Sequence, residues 1–160
     1  MKIGKFRHNI DASSEYFSLA AEDENAALIL KDAGKYRQSS YFIVQAMEKY
    51  LLAKIFSFVN PKNEIFREMN RNHSVEEAAN FFIEIVSPQA RVKEQVREQL
   101  NRYVLEDTKF NHLHNNLRYP YYSERYNSYS CLDITQKDVE LLIQKLNFLK
   151  NFLKDIDLIK

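Results

Sequence analysis

Apolar positions along the 160-residue chain fall mostly at steps of three and four, the signature of helices with one buried face. From about Ala12 to Lys31 the stripe holds Tyr16, Phe17, Ala20, Ala27 and Leu28, interrupted by Glu22-Asp23-Glu24, which reads as a solvated patch. Asp32-Ala33-Gly34 supplies a stop, because glycine adopts the left-handed conformation that closes a helix. A second helix from about Lys35 to Val59 carries Tyr41, Val44, Met47, Leu51, Leu52, Ile55 and Phe56, widened by Ile43 and Tyr50. A face that broad predicts the central, most buried helix. Asn60-Pro61 ends it, and Lys62 to Asn72 reads as a polar loop with room for one short helical turn.

Ser74-Val75-Glu76-Glu77 has the spacing of a capping box and opens a helix through Val75, Ala78, Ala79, Phe82 and Val86. Ser87-Pro88 reads as cap and first residue of the next helix, whose seam is Val92, Val96, Leu100 and Tyr103. Between about Asp107 and Asp133 the periodicity lapses. Five tyrosines, Tyr119, Tyr121, Tyr122, Tyr126 and Tyr129, crowd into eleven residues there. A long irregular segment in a small domain is uncommon and usually functional. Thr135 and Asp138 then open the last helix, with Val139, Leu142, Ile143, Leu146, Leu149 and Leu153 on one side. The expectation is an all-α fold: one domain spanning residues 1–160, an up-and-down bundle of four to five helices with a long aromatic-rich loop before the last.

Composition narrows the chemistry. Two glycines and three prolines argue against a strand-rich fold and cannot build a Gly-rich phosphate loop. Lys+Arg 23 against Asp+Glu 22 gives no global field toward nucleic acid or membrane. The single cysteine, Cys131, excludes an internal disulfide framework and a cysteine-based zinc site. No signal-peptide-like start or membrane-length apolar run is present, so a cytoplasmic protein without membrane partners is expected.

The irregular segment brings His112, His114 and Arg118 close in sequence. Imidazole moves protons near neutral pH and guanidinium holds phosphate in a fork, so the cluster is a candidate for catalysis (His112, His114) or anion binding (Arg118). Polar capping and loop filling is the plainer alternative. Two histidines without a placed carboxylate or thiolate do not make a metal set, and neither metal nor cofactor is expected. Tyr119 and Tyr122 offer rings or hydroxyls to a base or ribose, or a contact surface to a protein. Lys35, with Arg37 two residues on, puts positive charge beside a helix N-terminus, where exposed amides favour anions. Glu48 and Lys49, inside the apolar face of the second helix, read as structural polar contacts.

Four short pieces in order carry a family resemblance: Ser14-Glu15-Tyr16-Phe17, Ala20-Ala21-Glu22-Asp23, Gly34-Lys35-Tyr36, and Ser40-Tyr41-Phe42 followed by Gln45-Ala46-Met47-Glu48-Lys49 through Lys54. With His73 before a capped helix and Leu117-Arg118-Tyr119-Pro120 before the last, the chain resembles the HEPN domains (higher eukaryotes and prokaryotes nucleotide-binding) over about Ser14 to Leu153. The resemblance implies a helical bundle that pairs into homodimers. It also implies either a metal-independent ribonuclease with arginine followed after four to six residues by histidine, or a nucleotide-binding module working with a nucleotidyltransferase partner in a toxin–antitoxin setting. Arg118 matches that arginine, but Ser123, Glu124 and Arg125 occupy the histidine positions. Arg67 and His73 have the spacing in the wrong part of the chain. The resemblance therefore implies a non-catalytic module binding nucleotide or RNA, with a divergent ribonuclease using His112 or His114, or a protein scaffold, as alternatives.

Overall fold

The computed structural model describes residues 3–69 and 74–157, so His73 lies outside the described residues. Among the described residues the chain is mainly α-helical, with one two-stranded sheet beside the helices. Helix α1 spans Ala12–Asp32, and the Asp11 carboxylate caps it by accepting from the Ser14 amide at 2.8 Å. Gly34 (φ +71°) follows its end. There the Gly34 and Lys35 amides return to the carbonyls of Lys31 and Leu30 at 2.9 and 2.8 Å. This turn is so short that α2, Tyr36–Phe58, packs straight back along α1. Small residues make the close approach possible: Ala20, Ala27, Ser39, Ser40 and Ala46 are all buried. Ser39 and Ser13 tie the pair by donating to the carbonyls of Ala27 and Ala53, each at 2.7 Å.

Helix α2 is the centre of the core, packed by α1, α4, α6 and α7. Val44, Leu51, Ile55, Val96, Leu100, Leu142, Leu146 and Leu149 are all buried, as the seams predict. The acidic patch of α1 departs from expectation. Asp23 is ion-paired to Lys49, while Glu24 accepts from Tyr50 Oη at 2.7 Å and from Lys150 Nζ at 2.8 Å. Only Glu22 of the three is exposed. Burial and the Glu24 carboxylate hold the Tyr50 phenol well above its usual pKa.

A six-residue helix α3, Glu64–Met69, occupies the expected polar loop. Helix α4, Val75–Ile85, starts where Ser74 Oγ accepts from the Glu77 amide at 3.2 Å. The same hydroxyl lies 3.1 Å from the Glu76 carboxylate, to which it donates. Helix α5, Ala90–Leu100, begins two residues later than Ser87-Pro88 suggests; Gln89 is its cap, and Ser87 Oγ accepts from the Gln89 amide. α5 ends in a π-helical turn, Asn101–Leu105. The wider turn lets the buried seam step by four once more, from Leu100 to Val104, leaving Tyr103 outside against Phe148. Lys145, buried on α7 (Gln136–Ile156), donates to the Val104 and Glu106 carbonyls at 2.9 and 3.0 Å and so closes that turn.

The segment expected to be one irregular loop contains a helix and a β-hairpin. Helix α6, Phe110–Asn116, buries Phe110, with Leu117 buried just past its end. Strands β1, Tyr121–Ser123, and β2, Ser128–Ser130, then pair antiparallel with Tyr122 opposite Tyr129. Asn127 takes φ +47° in the connecting turn, a left-handed conformation that asparagine tolerates.

Candidate functional site

His114, in the last turn of α6, is half-buried against α2. Its ring lies 5.8 Å from that of Tyr41, and its Nδ1 is 3.1 Å from Gln45 Nε2. Tyr41 and Gln45 are one helical turn apart on α2, so one face of that helix holds both. On the outer side, Arg118 Nη1 lies 3.4 Å from His114 Nε2. Arg118 Nη2 donates to Tyr119 Oη at 3.0 Å, and the guanidinium sits 5.0 Å from the Tyr119 ring centre. The result is a row running from the protein body to solvent: Gln45, His114, Arg118, Tyr119.

One arrangement of protons makes both ring contacts hydrogen bonds. A guanidinium only donates, so the contact to Nε2 requires that nitrogen to present its lone pair. The proton then sits on Nδ1, and the Gln45 amide must turn its oxygen, not its nitrogen, toward the ring. In this arrangement the lone pair that a general base needs already faces Arg118. Arg118 itself is exposed, and among the described residues no carboxylate lies within ion-pair distance of it.

The sequence candidates separate as follows. His114, Arg118 and Tyr119 come together. His112 is exposed, and two residues along a helix turn its side chain about 200° from His114, away from the row. Tyr122 belongs to the hairpin, where it donates to the Asn127 side chain and packs edge-on against Tyr129 at 5.6 Å. Lys35 is exposed at the start of α2 with no side-chain cap bond. Its neighbour Arg37 has a structural task instead. Nη1 donates to the Asn116 and Leu117 carbonyls at 3.2 and 3.4 Å, and Nη2 donates to the Leu132 carbonyl and lies 3.2 Å from Cys131 Sγ. Arg37 thus clasps the end of α6 to the exit of the hairpin, and so holds Arg118 and Tyr119 in place.

From sequence, Tyr41 is only part of the apolar stripe and Gln45 only part of the family-like motif, neither a site residue. The signal was their four-residue spacing at the edge of the apolar face of α2, visible only once α6 is known to lie there. Among the described residues no group of three or more His, Cys, Asp or Glu is placed to hold a metal, and no helix is long and apolar enough to cross a membrane. Comparison with family models, with curated proteins and with solved structures yields no match.

Proposed function

We propose that this chain is a HEPN-like helical module, an up-and-down bundle acting as a cytoplasmic homodimer, that binds a nucleotide or single-stranded RNA without cutting it. The observation that supports this best is Arg118: exposed, braced by His114 and the Tyr119 hydroxyl, with no carboxylate paired to it among the described residues. A guanidinium so placed suits a phosphate oxygen, and the neighbouring tyrosine ring suits a base. Tyr121, Tyr122 and Tyr129 on the adjoining hairpin are exposed and extend the aromatic surface. A nucleotidyltransferase protein partner is part of the same proposal and rests on the family resemblance alone.

Fluorescence anisotropy with a labelled single-stranded RNA tests the reading. Arg118→Ala should weaken binding by about tenfold or more, the loss of one charge-assisted contact of roughly 1.5–3 kcal/mol. The RNA should be recovered at full length. Unchanged affinity in the Arg118 variant rejects the site.

A second reading, a divergent metal-independent ribonuclease, has one observation in its favour: an imidazole and a guanidinium lie side by side, the pair needed to take a 2′-hydroxyl proton and hold the phosphate. It requires Nε2 to exchange the guanidinium for the substrate hydroxyl. RNA cut in the presence of a chelator, and left whole by His114→Ala, would establish it.

A further inference from the structure

The N-terminal segment, α1, the end of α2 and α3 enclose a cleft of about 420 Å³ that no residue of the Arg118 row lines. That volume lies within the range of small-molecule sites. We propose that this cleft binds a fatty-acid-like ligand, one unbranched alkyl chain ending in a carboxylate, with the chain in the cleft and the carboxylate on Arg67. The proposal is independent of RNA binding at Arg118.

Three stretches of the chain build the cleft. Ala12, Tyr16 and Leu19 stand four and three residues apart, so they share one face of α1. Pro61 follows the end of α2 and cannot continue a helix; the chain turns there, and α3 adds Phe66. Ile10 lines the cleft from the N-terminal segment, just before the Asp11 cap. Phe56 is buried, whereas Ile10 and Leu19 are 50 % and 36 % exposed. The cleft therefore runs from a buried aromatic ring to open aliphatic surface.

The lining sets the shape of the ligand. Tyr16 and Phe56 stack with ring centres 5.5 Å apart and planes 13° apart, so no planar group fits between them. Phe66 is set edge-on to Phe81. An alkyl chain needs contact and no ring orientation, and by covering Ile10 and Leu19 it removes apolar surface from water. Charge sets the head group. The charged side chains that line the cleft are Glu15 and Arg67. Glu15 is ion-paired to Arg7 of the N-terminal segment, so its charge is committed. Arg67 is exposed on α3 and has no carboxylate within ion-pair distance among the described residues. One uncommitted guanidinium beside an apolar cleft matches one carboxylate, which it can hold through two parallel N–H donors.

Calorimetric titration of the full chain with octanoate, hexanoate, octanol and octylamine tests the proposal. Octanoate should bind saturably, one per chain. Hexanoate should bind about fifteenfold more weakly, about fourfold for each methylene removed. Octanol and octylamine should bind about threefold or more weaker than octanoate, the scale of one exposed ion pair. Arg67→Glu, at an exposed position, should reverse the order, so that octylamine binds better than octanoate. Ile10→Glu, in the segment before α1, should weaken octanoate and octanol alike at least tenfold, with the helical circular-dichroism spectrum unchanged. Arg118→Ala should leave every affinity unaltered. No octanoate heat at millimolar concentration overturns the proposal. So does equal affinity for hexanoate and octanoate, a retained preference for octanoate in the Arg67 variant, wild-type affinity in the Ile10 variant, or loss of octanoate binding in the Arg118 variant. An Ile10→Glu change that alters the oligomeric state while octanoate gives no heat assigns the cleft to a protein contact and overturns it as well.

Discussion

Ser40 is fully buried on α2, and its hydroxyl is the buried side-chain atom without a hydrogen-bond partner among the described residues. An unmade hydrogen bond leaves the desolvation cost of the group uncompensated, whereas an apolar replacement of the same shape is neutral or better. Ser40→Ala should therefore hold or raise stability, by up to about 1 kcal/mol, in a urea titration. Thr135 is the opposite case. Its hydroxyl accepts from the Asp138 amide while Asp138 accepts from the Thr135 amide at 2.7 Å, so both orphan donors at the start of α7 are satisfied. Thr135→Ala should cost about 1 kcal/mol. The hydrogen bonds from Thr135 also hold the Asp138 carboxyl below its ordinary pKa of 3.8. A depressed folded-state value means that the contribution is present above about pH 4 and is lost as the pH falls through the folded-state pKa. Carboxyl NMR titration should find Asp138 below 3.8 in the wild type and higher in the Thr135 variant. This capping box is legible in the sequence because its two partners are three residues apart. Arg37 is not, since its partners lie 79 to 95 residues away.

At the scale of elements, the same contrast decides what periodicity can find. The long helices repeat their apolar residues over five or six turns, and their bounds fall within a residue or two of the expected ones. Helix α6 is only seven residues long, and Phe110, Leu113 and Leu117 give its stripe just two steps among Asn and His. The hairpin has no apolar–polar alternation, because aromatic side chains stand exposed on both strands, and Asn127 fills the left-handed position that glycine usually signals. What holds these two elements is long-range: Phe110 and Leu117 in the core, and the Arg37 clasp. Arg37→Ala should thus release α6 and the hairpin locally. Hydrogen exchange should speed up from residue 110 to residue 132 while α2 and α7 stay protected, and global stability should fall by about 1–3 kcal/mol. Arg37→Lys should not restore protection, since a single ammonium cannot reach carbonyls on both sides as the planar fork does. Leu146→Ala, in contrast, should lower the whole molecule's stability by about 2–5 kcal/mol, with every element affected together.

For the whole molecule, the proposed homodimer needs an apolar face left uncovered by its own chain, and the broad face of α2 is one candidate. Helices α1, α4, α6 and α7 cover that face within one chain, so the case for a dimer has to rest elsewhere. Exposed apolar side chains occur in several places, the hairpin and the outer side of α1 among them. The tyrosines of the hairpin tolerate water because each carries a hydroxyl. Leu28 and Ile29 on the outer side of α1 have no such polar tip, and Ile29 is 70 % exposed. They form the more demanding surface, and exposed aliphatic side chains of this kind mark contacts between chains. A two-fold dimer through α1 should give twice the 19.0 kDa chain mass in light scattering at micromolar concentration. Ile29→Glu should return it to 19.0 kDa with the thermal midpoint little changed, because most of the residue's surface already lies in solvent. Tyr129→Ser should leave the dimer intact, since the hairpin belongs to the proposed RNA surface. A wild-type protein that scatters only as a 19.0 kDa species rejects the dimer, and a dimer broken by the Tyr129 change but not by the Ile29 change moves it from α1 to the hairpin.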